Sequence, residues 1–281
     1  MSALAMRRNS IGVALAFVAG MLPLVSVMSA PDAAASGADT ACSMDPTDGT
    51  VTRMVGARPY RLRVPPGLTG PYPLLLSLHG GGEPSAFHET ETGWNGFAAT
   101  QHFIVAYPEG INMLWDFGQG SPDVTYLRNV VSDIESSWCV DRRHVHAEGY
   151  SNGGSMANRL GCDSSDVFAS FASYAGSDAT VTGAPCAPSR PVANAQMDSA
   201  LDPAQPFELQ ARSVWVNRNG CTNMQFEFSA LAEVWHHRPC SAGTEVLWLD
   251  YYAGSHNWPI GPANADIRNR IWGLFVAQPL P

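Results

Sequence analysis

The chain has 281 residues, 45% of them apolar and only 15% charged, with 26 Gly and 21 Pro. That composition suits a turn-rich globular chain with a sizeable core and excludes disordered and coiled-coil chains. A net charge of −9 argues against a nucleic-acid-binding surface, and the lack of any lysine excludes a P-loop lysine, a pyridoxal Schiff base and a lysine general base.

Arg7 and Arg8 precede an apolar stretch from Ile11 to Val27, and small residues follow through Ala35. This layout predicts a secretory signal peptide over 1–35. The apolar run sits at the lower edge of a membrane span and contains Gly20 and Pro23, so no stable span is expected after processing. The remainder, 37–281, shows no repeat and no long linker, and reads as a single domain. Six cysteines (Cys42, Cys139, Cys162, Cys186, Cys221, Cys240) all lie past the leader, and an even count in an exported chain favours disulfides. Cys221 with Cys240 and Cys162 with Cys186 would each close a loop of about 20 to 25 residues, leaving Cys42 with Cys139. No C-x-x-C spacing suggests a metal ribbon.

In chain order, 73–78 is an apolar run that predicts a buried strand ending in the glycine loop His79-Gly80-Gly81-Gly82. Free backbone N–H groups there could approach a substrate oxygen; Gly81 is the chosen donor, although any of the three could serve. His79 is expected to brace this loop. A helix is expected over 89–100, a strand over 103–107 and a helix over 123–138, where apolar residues recur at helical period. A strand over 144–149 leads into Gly149-Tyr150-Ser151-Asn152-Gly153 and a helix over 152–160. A G-x-S-x-G turn between strand and helix is the setting of a nucleophile elbow. Ser151 would be displayed at the helix N-terminus and the Asn152 N–H would face a developing oxyanion. The plainer alternative is a glycine-rich turn with a helix-capping serine.

A strand over 169–174 follows. A late strand over 245–252 precedes Gly254-Ser255-His256-Asn257-Trp258-Pro259, and a helix over 267–276 closes the chain. Strands alternating with helices predict an α/β fold with a mostly parallel sheet and helices on both faces. The hydrolase order is Ser, then an acid, then His, which makes His256 the base. His88 and His102 lie in no supporting motif; His236 and His237 are adjacent and cannot converge; His144 and His146 share a strand face without a third metal ligand. No metal or cofactor is expected. Between Ser151 and His256, Asp163, Asp166 and Asp178 are too near the nucleophile and Asp250 too near the histidine, which leaves Asp198 or Asp202 as the acid. Trp115, Tyr150 and Trp258 are candidate lining for a substrate cleft.

Leu76-Ser77-Leu78-His79-Gly80-Gly81-Gly82, Val105-Ala106-Tyr107-Pro108-Glu109-Gly110, Gly149-Tyr150-Ser151-Asn152-Gly153-Gly154 and Gly254-Ser255-His256-Asn257-Trp258-Pro259 together resemble the secreted polyhydroxybutyrate depolymerase-like esterases, which are similar to feruloyl and acetylxylan esterases. The resemblance implies an α/β-hydrolase fold and metal-free ester hydrolysis outside the cell. The substrates it implies are small aromatic esters, feruloylated or acetylated polysaccharide, or hydroxyalkanoate oligomers. It also carries the acid onto Asp202, because Asp202-Pro203-Ala204-Gln205-Pro206-Phe207 keeps the family's Asp-x-x-x-Pro-Phe spacing. The His-Gly-Thr that normally precedes it is replaced by Asp198-Ser199-Ala200. That loss is the ground for one alternative, a catalytically impaired binding protein on a hydrolase fold. An exported serine peptidase of the same fold is the other.

Overall fold

The computed structural model describes residues 42–181 and 183–281; the expected signal peptide lies outside them. Ten strands form one sheet: β1 (Val51–Val55), β2 (Arg58–Arg63), β3 (Tyr72–Leu78), β4 (Ile104–Pro108), β5 (Val140–Tyr150), β6 (Ser170–Tyr174), β7 (Ala193–Ser199), β8 (Met224–Phe228), β9 (Ala232–His237) and β10 (Val246–Tyr251). Their spatial order is β1-β2-β4-β3-β5-β6-β7-β10-β9-β8. The six strands from β4 to β10 in this order pair in parallel, and an antiparallel hairpin extends the sheet at each end.

Helices cover both faces, which is why the central strands read as continuous apolar runs. Leu74, Leu76 and Leu78 of β3 face α3 (Pro122–Ser137) and α4 (Asn152–Asp163) in one core, joined by Trp215 of α5 (Gln205–Arg218). Leu75, one residue out of phase, faces the second core with α2 (Trp94–Gln101) and α6 (Gly261–Ala277). The α3 N-terminus shows how locally the sequence acts. Ser121 accepts the Asp123 N–H at 3.0 Å, and Pro122 occupies the first turn, where its missing N–H costs nothing.

The helix expected over 89–100 is instead two, α1 (Ser85–Thr92) and α2. Gly93 adopts φ 66°, left-handed backbone that ends one helix and starts the next. Three disulfides are present, Cys42–Cys139, Cys162–Cys186 and Cys221–Cys240, and no cysteine is free among the described residues. No helix among those residues is long and apolar enough to cross a membrane.

Chain order reverses beside β3: β4 lies on one side of it and β5 on the other. At such a switch the loops leaving the C-terminal strand ends diverge and open a crevice. Leu78 pairs with Gly149, so the glycine loop after β3 and the turn after β5 leave side by side. β7 and β10 run parallel to them, and Asp202 and His256 follow the same edge.

Candidate active site

Ser151 is the one residue between β5 and α4, at φ 53° and ψ −116°. Backbone of this kind costs about 1–3 kcal/mol outside glycine and persists only where the surroundings impose it. Here the Ser151 N–H donates to the Tyr174 carbonyl at 2.8 Å, and the Ser151 carbonyl accepts from Ser155 N–H at 3.0 Å. The flanking glycines are obligatory. A Cβ on Gly149 would lie 2.3 Å from the Gly153 carbonyl oxygen, and one on Gly153 would lie 2.2 Å from that of Leu78. Ser151 makes no side-chain cap on α4. Its Oγ lies 2.7 Å from His256 Nε2 instead, and His256 Nδ1 lies 2.8 Å from Asp202 Oδ2. With Asp202 ionised, Nδ1 carries the proton and Nε2 is free to accept one from Ser151.

Asp202 follows β7 through a turn in which its N–H donates to the Ser199 carbonyl at 2.9 Å. Its Oδ1 accepts the Ala204 N–H at 2.7 Å, which turns Oδ2 toward the histidine. Pro206 lies in the first turn of α5. Asp198 lies within β7, fully buried, and Ser199 N–H donates to its Oδ1 at 2.7 Å. Burial, with the negative charge of Asp202 adding to it, pushes its carboxyl up to about 8. It is therefore protonated near neutral pH and supplies little charge to an imidazolium.

Two of the three loop glycines are engaged. Gly80 N–H donates to Glu83 Oε1 at 2.7 Å and Gly82 N–H to the Met113 carbonyl at 2.8 Å. Gly81 N–H has no acceptor among the described residues, and a Cβ there would sit 3.4 Å from Asn152 Cβ. As the first residue of α4, Asn152 has a backbone N–H with no partner in a preceding turn. Gly81 and Asn152, the residue after the serine, thus lie side by side. His79 braces the loop as a neutral imidazole: Nδ1–H donates to the Gly80 carbonyl at 2.7 Å, while Nε2 accepts Gly110 N–H at 2.9 Å. Burial lowers its pKa, in keeping with that tautomer.

The expected aromatic lining is corrected. Trp258 is fully buried, and Trp115 and Tyr150 nearly so. Each faces inward because its polar atom serves the frame. Trp115 Nε1–H donates to the His79 carbonyl at 2.9 Å, and its backbone is held at both N–H and carbonyl by the Asn152 side-chain amide. Tyr150 O–H donates to the His256 carbonyl at 2.8 Å, and Trp258 packs edge-on against Tyr174 at 5.5 Å. The cavity beside Ser151 and His256, about 320 Å³, is walled instead by Phe117, Val181 and Phe207. Phe207 closes the Asp-x-x-x-Pro-Phe segment, whose spacing points to its acid alone, and Phe117 and Val181 lie in no motif. The His144–His146 pair does not assemble a metal site, since His144 bonds Asp141 and buried His146 bonds Ser170. Among the described residues, Glu83, His88 and Glu91 form a group whose ligating atoms could gather around a cation.

No family model matches the chain. A Nocardia uniformis subsp. tsuyamanensis protein with the provisional name esterase NocK is 34% identical over 162 residues, 54% of this chain and 47% of that protein. "Probable feruloyl esterase C" of Aspergillus niger is 25% identical, with 93% of this chain and 98% of that protein covered. Feruloyl esterase B of Piromyces equi is 26% identical over 69% of this chain, but the match spans only 42% of its own length. The chain thus matches less than half of two of these relatives and nearly all of the third. Among solved structures, an acetyl xylan esterase from Aspergillus awamori superposes with a TM-score of 0.62 at 15% identity, covering 80% of this chain and 98% of that one. With its mostly parallel sheet and its serine on a strand–turn–helix elbow, the chain has the α/β-hydrolase fold, and the relatives it resembles in sequence carry esterase names.

Proposed function

We propose that the protein is an exported serine carboxylesterase working through an acyl-enzyme, with Ser151 as nucleophile, His256 as base and acid, and Asp202 orienting the histidine. The observation that carries this reading is the unbroken chain Ser151 Oγ, His256 Nε2, His256 Nδ1 and Asp202 Oδ2, with contacts of 2.7 and 2.8 Å. His256 Nε2 takes the serine proton as Oγ attacks the ester carbonyl carbon. The carbonyl oxygen becomes an oxyanion between the Gly81 and Asn152 N–H groups. Collapse expels the alcohol, which leaves with the proton from Nε2. Water then repeats the sequence and releases the acid. Export is supported by three disulfides, which persist in oxidising compartments.

The substrate is an ester with a compact acyl group, aromatic or short-chain. A cavity of about 320 Å³ with Phe117, Val181 and Phe207 on its wall favours a flat apolar acyl part, and its open position leaves room for a bulky alcohol such as a polysaccharide. Wild type and Ser151→Ala are compared on a p-nitrophenyl ester, a peptide anilide, methyl ferulate, acetylxylan and hydroxybutyrate oligomers. Ester turnover confined to the wild type, with no anilide cleavage, is expected, and so is labelling of Ser151 by a phosphonate probe. Near-native turnover by Ser151→Ala would overturn the mechanism. A wild type that no phosphonate labels would favour a binding protein.

A further inference from the structure

Behind the glycine loop lies a buried polar cluster that the reaction scheme does not use. His88 of α1 is fully buried. Its Nδ1 lies 3.3 Å from Glu83 Oε1, and its Nε2 lies 3.7 Å from Glu148 Oε1. Glu83 Oε1 is the same atom that accepts the Gly80 N–H at 2.7 Å. Glu148 stands on β5, three residues before Ser151, and is pinned by Ser77 Oγ–H and by Trp94 Nε1–H. On its other side the His88 ring meets the edge of Trp258, two residues after His256, at 5.9 Å.

We propose that His88 is a positioning residue for ester hydrolysis: wedged between Glu83 and Glu148, its ring keeps the Glu83 carboxylate on the Gly80 N–H and so fixes the Gly81 N–H as the oxyanion donor. This rests on the esterase reading above. Without the clamp, Glu83, whose side chain is 17% exposed just before α1, has a lone bond to Gly80 that competes with water. The glycine turn then samples other orientations, and Gly80 rather than Gly81 can point into the crevice. The turn is close-fitted: a Cβ on Gly80 would lie 2.8 Å from the Tyr150 ring. A small rotation of Glu83 is thus passed to the oxyanion loop rather than absorbed in empty space.

The charge state fits the geometry. Burial alone would discharge the imidazole, but the Glu148 and Glu83 carboxylates outweigh it and push His88 up to about 9. Glu91, one helical turn on, brings a third carboxyl within 4.8 Å of the Glu83 and His88 ligating atoms, and burial pushes it up to about 7.

The test compares His88→Gln, Glu83→Ala and Glu83→Gln with wild type. It reads kcat and KM on a p-nitrophenyl ester, the Ki of a trifluoromethyl ketone, whose serine adduct is an oxyanion, and the Ki of the product acid. His88→Gln and Glu83→Ala should lower kcat and weaken the ketone by the same factor, about 10- to 100-fold, with KM and product binding within about twofold. Glu83→Gln keeps an amide oxygen for Gly80 and should stay within about threefold of wild type. Folded variants with wild-type kcat and ketone Ki would overturn the proposal. So would losses shared equally by product binding, which mark general damage. If His88→Gln does not fold, the two variants at the partly exposed Glu83 decide alone. Phosphonate labelling of wild type separates the two failures: an unlabelled wild type sinks the esterase reading, whereas a labelled wild type with unaffected variants sinks only the clamp.

Discussion

Asp198 and Asp202 lie four positions apart, and the bonds around each assign them different work. Asp202 Oδ2 meets His256 Nδ1 at 2.8 Å, while Asp198 accepts only from Ser199 N–H. Asp202→Asn should present an amide N–H to His256, force the wrong tautomer and lower kcat by about four orders of magnitude. Asp198→Asn should cost no more than about tenfold. Both are measured on one chromogenic ester, and the reverse ranking would move the acid to Asp198. The same substitution carries a stability signature. An aspartate ionises near 3.9 in an unfolded chain, but burial holds Asp198 protonated in the fold up to about 8. Between those values the native state keeps a proton that the unfolded state has lost. The stability from the neutral carboxyl is therefore complete below about pH 4 and drains away as pH rises through about 8. Asn does not titrate. The melting temperature of Asp198→Asn should thus gain on wild type between pH 4.5 and pH 8. A difference that stays flat across that range would mean that Asp198 ionises normally.

At the scale of the element, the strand–turn–helix around Ser151 depends on backbone contacts that no side chain can enter. Gly153→Ala would place a methyl 2.2 Å from the Leu78 carbonyl oxygen and 2.5 Å from that of His79. Either α4 or the oxyanion loop must move, and such overpacking costs typically 1–3 kcal/mol. Urea unfolding should show that loss, and kcat should fall by at least about tenfold because the two N–H donors separate. A stable, fully active Gly153→Ala would mean that the fit is looser than it looks. This element was legible in the sequence because its chemistry is local, a glycine on each side of one serine. Among the central strands, β3, β4 and β10 were legible because burial on both faces makes them largely apolar, whereas β7 was missed because Asn194, Gln196 and Asp198 put buried polar residues in its run. The edges were not legible either. β2 alternates only over Tyr60-Arg61-Leu62-Arg63, and β8 alternates Met224, Phe226 and Phe228 with Gln225 and Glu227 but buries none of them, so neither short run marks a core face. α5 was hidden because only Glu208, Ala211 and Trp215 are buried and Pro206 reads as a loop residue. The aromatic lining was misassigned because Trp115, Tyr150 and Trp258 sit beside the motifs in sequence. They turn inward to bond His79, His256 and Asn264 through their polar atoms.

Across the whole molecule, the three disulfides tie chain segments that the sheet alone leaves loosely joined. In the chain-entropy treatment, Cys42–Cys139, with a separation of 97 residues, is worth about 4.7 kcal/mol, against about 3 to 3.5 for the two short loops. Paired replacement of Cys42 and Cys139 by serine should therefore lower the urea midpoint most, provided the slope is unchanged. Function should follow a different order. Cys162–Cys186 closes the segment that carries Ala175, Gly176, Ser177 and Val181, one wall of the cavity beside Ser151. Neither Ser151, His256 nor Asp202 lies within that loop. Opening it frees the wall that receives the acyl group and leaves the catalytic contacts in place. Cys162→Ser with Cys186→Ser should raise KM by roughly three- to tenfold and change kcat little, the pattern of lost uniform binding. The Cys42–Cys139 replacement should leave both constants near wild type wherever the protein is folded. Steady-state kinetics on both double variants, at a temperature well below either unfolding midpoint, reads the contrast directly. If kcat rather than KM fell in the Cys162–Cys186 variant, the loop would be holding Ser151 and not the acyl wall.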